Sequence, residues 1–155
     1  MKELICIHYG HDTFMKTKVS PIVNQMFIKP LGGLWTSPVD SVFGWKDWCQ
    51  SEEYDGLAGG QMYVQLKRTA KIYIIDSLED LKKIPIQKEL RLYGTVFPDF
   101  EWIAKQYDAI WLTNKGERET RYTRPHNLYG WDCETVLIMN GGCCYQVEYE
   151  NVNKA

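Results

Sequence analysis

Two observations predict an α+β fold for this chain. Short strand-like runs dominate it, and only a few short helices interrupt them. A third observation bears on organisation. The 155 residues contain no internal repeat, linker or low-complexity tract, so one domain spanning 1–155 is expected, long enough to bury a real core.

The elements follow in order. Leu4 to Tyr9 is a short apolar run, read as a strand ending in His8-Tyr9-Gly10. Residues 11–30 are mixed, and Pro21 and Pro30 argue against one long helix. Gly32-Gly33 lead into a brief strand, Leu34 to Ser37, that stops at Pro38. Asp40 or Ser41 can cap the next helix, in which Trp45, Trp48 and Cys49 share one face and read as core. Tyr54-Asp55-Gly56 ends it. Met62–Lys67 and Lys71–Asp76 read as two further strands. A helix fits Ser77 to Lys83, with Ser77 as its cap and Glu79 and Asp80 in its first turn. Phe97-Pro98-Asp99 opens another, placing Phe100, Ile103, Ala104 and Tyr107 on one face, and Asp108 to Thr113 is a strand. Asn114 to Gly130 reads as a long polar loop carrying Arg118, Arg121, Arg124 and His126. The chain closes with a hairpin: an apolar run from Trp131 to Asn140, Gly141-Gly142, and a second run from Cys143 to Glu150.

Composition bounds the function. Hydrophobic residues make up 45% and aromatics 14%, which describes a globular and not a disordered chain. A net charge of −2 gives no basic excess of the kind that marks nucleic-acid binding, although a local patch would be diluted in that total. Five cysteines, an odd number, no signal peptide and no apolar segment of membrane-spanning length predict reduced thiols in a cytoplasm, with no membrane partner. Cys6, His8, His11 and a later cysteine do not match a zinc spacing, so no metal is expected.

The stretch richest in chemical meaning is Asp132-Cys133-Glu134-Thr135-Val136-Leu137-Ile138. Strand alternation would put Asp132, Glu134, Val136 and Ile138 on one face, with two carboxylates at the mouth of an apolar strand. The alternative is that both acids sit solvated at a wet strand end. Glu117-x-Glu119 repeats the acid pair, without an apolar strand behind it.

Three stretches together resemble the ADP-ribosyltransferase fold of bacterial toxins and phage-encoded transferases. The strand ending in His8-Tyr9-Gly10 is similar to the family's first-strand His. Gly33-Leu34-Trp35-Thr36-Ser37-Pro38 is similar to its second-strand element of an aromatic followed by small hydroxyls, and Asp132-x-Glu134 to its acid-x-Glu strand. His8 in place of Arg points to the His-Tyr-Glu group. The tyrosine of that group's second motif is missing, and Trp35 is the nearest aromatic.

The resemblance implies two packed small β-sheets with short flanking helices. It further implies NAD as substrate and a macromolecular acceptor of ADP-ribose, protein or nucleic acid. Glu134 would stabilise an oxocarbenium-like transition state at the ribose, and Asp132 would orient or deprotonate the acceptor. His8 would hold a ribose hydroxyl, the backbone at Tyr9 or Gly10 the carboxamide, and Trp35 or a nearby tyrosine the ring. Thr36 and Ser37 would support Glu134. The small size suits an effector, toxin or phage protein. Rival expectations are NAD hydrolysis on the same fold and a binding protein without catalysis. A third rival is a nucleic-acid module built on Lys67-Arg68-Lys71 and Arg118-Arg121-Arg124.

Overall fold

Apolar alternation becomes strand burial throughout the chain. The computed structural model describes residues 3–25, 28–92 and 94–150, so both ends of the expected 1–155 domain lie outside the described residues. Strands β1 (Ile5–Tyr9), β2 (Leu34–Pro38) and β3 (Gln61–Leu66) come first, with helix α1 (Trp45–Ser51) between β2 and β3. In β3, Met62, Val64 and Leu66 are buried while Gln61, Tyr63 and Gln65 are not, as period-2 patterning requires. Next come β4 (Ile72–Ile75), α2 (Leu78–Lys82), β5 (Ile86–Leu92), β6 (Thr95–Pro98), α3 (Phe100–Ala104) and β7 (Ala109–Leu112). Helix α4 (Asn114–Thr120), β8 (Thr135–Ile138) and β9 (Cys144–Val147) complete the described chain.

The α+β class is observed, with a different sheet arrangement from the one expected. Seven strands form one mixed sheet in the order β4-β7-β8-β2-β1-β3-β9, and β5-β6 form a separate hairpin. Among the described strand pairs, only β4–β7 is parallel. The β1–β2 junction pairs just Cys6 with Pro38 and Ile7 with Ser37. One apolar cluster nevertheless joins Cys6, Val64 and Leu66 from one side of that junction to Ala109, Val136 and Ile138 from the other. A second cluster, with Phe100, Ile103, Leu112, Leu137 and Trp131, packs α2 and α3 against the β7–β8 half.

Three further expectations change. Residues 114–130 are not all loop: Thr113 Oγ1 accepts from the Gly116 amide at 3.0 Å and starts α4. The helix α1 is preceded by Gly44, not by Asp40 or Ser41 as cap, and the Asp47 carboxylate accepts from the Gly44 amide at 2.8 Å. The two closing runs do not pair as a hairpin. Both edges of β8 are already taken by β2 and β7, so the chain turns through Gly141–Cys143 and β9 joins β3. The expected cap Ser77 is found, accepting from the Asp80 amide; the helix expected to open at Phe97-Pro98-Asp99 starts at Phe100, with Asp99 accepting from the Trp102 amide and Phe97 and Pro98 in β6.

Candidate functional site

The ends of β1 and β2, the start of α1 and the segment leading into β8 enclose a cavity of about 490 Å³, a size typical of small-molecule sites. Its walls are rich in aromatics: Tyr9, Trp35, Trp45, Tyr54 and Trp131. Trp35 meets Trp131 edge-on, with centroids 5.0 Å apart, and Trp131 is fixed by its own indole N–H on the Ile28 carbonyl at 3.0 Å. Trp45 is half-buried and stacks on Trp48, with Tyr54 edge-on to both. Trp45 therefore belongs to the cavity wall rather than to either apolar cluster, against the core assignment. Gly56 is required beside it, since a Cβ there would lie 2.9 Å from Trp45, Cys49 and Tyr54.

His8 sits at the end of β1 with a defined proton. Its Nδ1 lies 2.8 Å from the Trp35 carbonyl, which can only accept, so Nδ1 carries the hydrogen. Nε2 then offers its lone pair to His11 Nδ1 at 3.0 Å, and the rings stack. Burial lowers the His8 pKa, opposed by the Trp35 carbonyl and reinforced by His11, so the ring is neutral at neutral pH. Burial also raises the Tyr9 phenol. Gly10 leaves β1 with φ +118, and its amide donates to the Gly60 carbonyl at 2.9 Å, so that amide is already engaged.

The hydroxyls of Thr36 and Ser37 are buried and serve the backbone. Thr36 Oγ1 donates to the Val136 carbonyl at 2.7 Å. Ser37 Oγ donates to the Glu134 carbonyl at 2.9 Å and accepts from the Trp45 amide at 3.0 Å. Ser37 thus supports Glu134 through its main chain, and ties β2, the β8 lead-in and α1 together.

The two acids part company. Asp132 lines the cavity along with Cys133 and Thr135. Its carboxylate lies 3.9 Å from Lys29 Nζ and 3.8 Å from an Arg121 guanidinium nitrogen. Glu134 is 8% exposed, and its Oε2 accepts from the Trp111 indole at 2.8 Å. Trp111 packs on the cluster containing Val136 and Ile138, and Glu134 is not among the residues that line the cavity. Of the two acids expected on one face, only Asp132 lines the cavity. Regular alternation starts only at Thr135, and the Glu134 amide is bound to the Phe43 carbonyl at 3.1 Å. Glu117, of the mimic pair, is buried against Arg121 at 2.8 Å.

Cys133 is buried, and desolvation pushes its thiol up to about 11, which keeps it protonated and non-nucleophilic near neutrality. Among the described residues, no group of three or more His, Cys, Asp or Glu could hold a metal ion, and no helix is long and apolar enough to cross a membrane. The cavity unites His8, Tyr9, Trp35, Thr36, Ser37 and Asp132. Lys29, Trp45, Tyr54 and Trp131 join it without having been singled out as site residues. No family model, curated protein or solved structure matches the chain.

Proposed function

We propose that the cavity takes the nicotinamide-ribose end of NAD and that the chain transfers ADP-ribose to a macromolecular acceptor. The observation that carries this reading is a carboxylate, Asp132, on the wall of a cavity rich in aromatic rings that also holds a neutral histidine. Nicotinamide in NAD is a flat cation, and an indole face attracts such a group. The Trp35 face already attracts one: Lys29 Nζ lies 5.7 Å from its centroid. In this reading Lys29 turns toward the diphosphate when the ring enters.

The chemistry balances without a cofactor beyond NAD itself. The bond between ribose C1′ and the nicotinamide nitrogen breaks, and its electron pair leaves with that nitrogen as neutral nicotinamide. Positive charge develops at the ribose, where Asp132 stabilises it. The acceptor's lone pair forms the new bond to C1′, and its proton passes to Asp132 or to water. His8 Nε2 accepts from a ribose hydroxyl once the exposed His11 turns aside. Glu134 can take the role implied by the family resemblance only by giving up the Trp111 indole. That engagement favours a second reading, a binding protein that holds NAD without cleaving it.

The test is incubation of purified protein with labelled NAD, with and without lysate, for wild type, Asp132→Asn and Glu134→Gln. Nicotinamide release and a labelled macromolecule are expected from wild type. Asp132→Asn should lower the rate by about 10²–10³, and Glu134→Gln should retain most of it. The reverse pattern assigns the chemistry to Glu134. Consumption of NAD without labelling makes water the acceptor. Stabilisation by NAD without consumption supports the binding protein. Neither effect overturns NAD as the ligand.

A further inference from the structure

Beyond the cavity, on the far side of Asp132, lies a second cleft of about 300 Å³ between Ile28, Arg121, Tyr122, Arg124, Asn127 and Tyr129. Tyr122 is 78% exposed and Tyr129 58% exposed, a poor use of two large rings if folding alone explained them. Their centroids are 6.1 Å apart, and the Arg121 guanidinium carbon lies 5.7 and 5.5 Å from them. The group is held in place from below. Arg121 is bound to Glu117 at 2.8 Å, the Tyr129 amide donates to Asn127, and neighbouring Leu128 is buried in the core.

We propose that Tyr122 and Tyr129, backed by Arg121 and with the exposed Arg124 in the same cleft, form a binding site for an unpaired nucleic-acid strand. Exposed tyrosine faces stack on any base, and guanidinium groups beside them meet the phosphates. A duplex hides its base faces in its own stack, so the platform selects single strands. Besides the apolar Ile28, the cleft's remaining side chains, Thr95, Thr123 and Asn127, are polar, which suits a nucleotide better than an apolar peptide. Because Glu117 already neutralises much of Arg121, stacking carries most of the affinity and the salt dependence is shallow.

The location gives the site a purpose. Arg121 touches Asp132 at 3.8 Å, and Ile28 and Lys29 line the second and first clefts respectively. A strand bound here passes the carboxylate wall of the cavity. Its role as acceptor of ADP-ribose rests on the NAD reading above, whereas its binding does not.

The experiment is fluorescence anisotropy of the full chain with labelled twelve-nucleotide single strands of RNA and DNA, and with the matching duplexes, in the absence of NAD. Binding to a single strand is expected, with the duplex at least about tenfold weaker. Tyr122→Ala and Tyr129→Ala should each weaken it by about tenfold, while the Tyr→Phe variants keep the ring and bind as wild type. No single-strand binding, equal affinity for duplex, or alanine variants that bind like wild type would each overturn the site. The same oligonucleotide is then incubated with labelled NAD. Label on the strand supports its role as acceptor. Consumption of NAD with an unlabelled strand overturns that role and leaves the binding site standing. Unconsumed NAD is a failure of the NAD reading alone.

Discussion

Replacing Ser37 by alanine tests how the site is held together. The hydroxyl is in a side chain only 2% exposed and makes two bonds, to the Glu134 carbonyl at 2.9 Å and from the Trp45 amide at 3.0 Å. The second satisfies the first amide of α1, one of the donors that a helix start leaves without an internal partner. Alanine removes one oxygen and leaves both groups without it. A buried polar group so stranded costs about 1–3 kcal/mol. The half-buried Trp45 amide belongs near the lower end, and loss of a comparable helix cap costs about 1 kcal/mol. The expected loss is therefore about 2–4 kcal/mol, read as a lower urea midpoint at unchanged slope. Ser51→Ala is the control, since its exposed hydroxyl bonds only the Trp48 carbonyl and should cost under about 0.5 kcal/mol. A Ser37→Ala variant within 0.5 kcal/mol of wild type would refute the claim that this hydroxyl joins three elements.

Other measurements probe different parts of the molecule. Burial lowers the pKa of both His8 and His126, so below the usual histidine value the unfolded chain takes up protons that the folded chain resists. Stability should be level above that value and fall as pH drops through the window beneath it. His126→Leu should show a shallower fall, and an unchanged slope in thermal melts would count against the assignment. Gly116→Ala places a Cβ 2.0 Å from the Ile75 carbonyl and should cost about 3 kcal/mol or more by driving α4 off β4, whereas Gly142→Ala, in ordinary contact, should be nearly neutral by denaturant titration. All five cysteines are free and buried, and burial pushes Cys6 to about 12 and Cys133 to about 11. A thiol reagent at mildly alkaline pH should label the native protein slowly and the denatured protein at once. Rapid native labelling would show that the core opens.

Much of the fold was legible where side-chain patterning and burial agree. The apolar runs at Ile5–Tyr9, Ile72–Ile75, Ala109–Leu112 and Thr135–Ile138 are all strands, and Ser77 caps the helix it was expected to cap. Helix α4 was not legible because its buried side is made of Gly116, Glu117 and Thr120, which give no apolar stripe. Its signals were the Thr113 cap and the Glu117–Arg121 pair one turn apart. The pairing of β9 with β3 was hidden for another reason. Asn140-Gly141-Gly142 is a good turn sequence, but nothing local reports that both edges of β8 are occupied. In the site, six expected residues converge on one cavity, while Trp45 was taken for core from helical spacing alone. Spacing tells which residues share a face and not what the face meets.

Asp132 and Glu134 differ in what each would give up by moving. Glu134 is nearly buried and accepts a 2.8 Å bond from Trp111, an interaction with a charged acceptor worth about 1.5–3 kcal/mol. Moving it to a ligand costs that bond and leaves an indole N–H without its partner. Asp132 is held only by two ion pairs at 3.8 and 3.9 Å, with side chains between 20% and 42% exposed. Such pairs are commonly worth about 0–1 kcal/mol each. The carboxylate already on the cavity wall is thus also the one with less to lose by reorienting. Its two cations belong to different clefts, Lys29 to the aromatic cavity and Arg121 to the tyrosine platform.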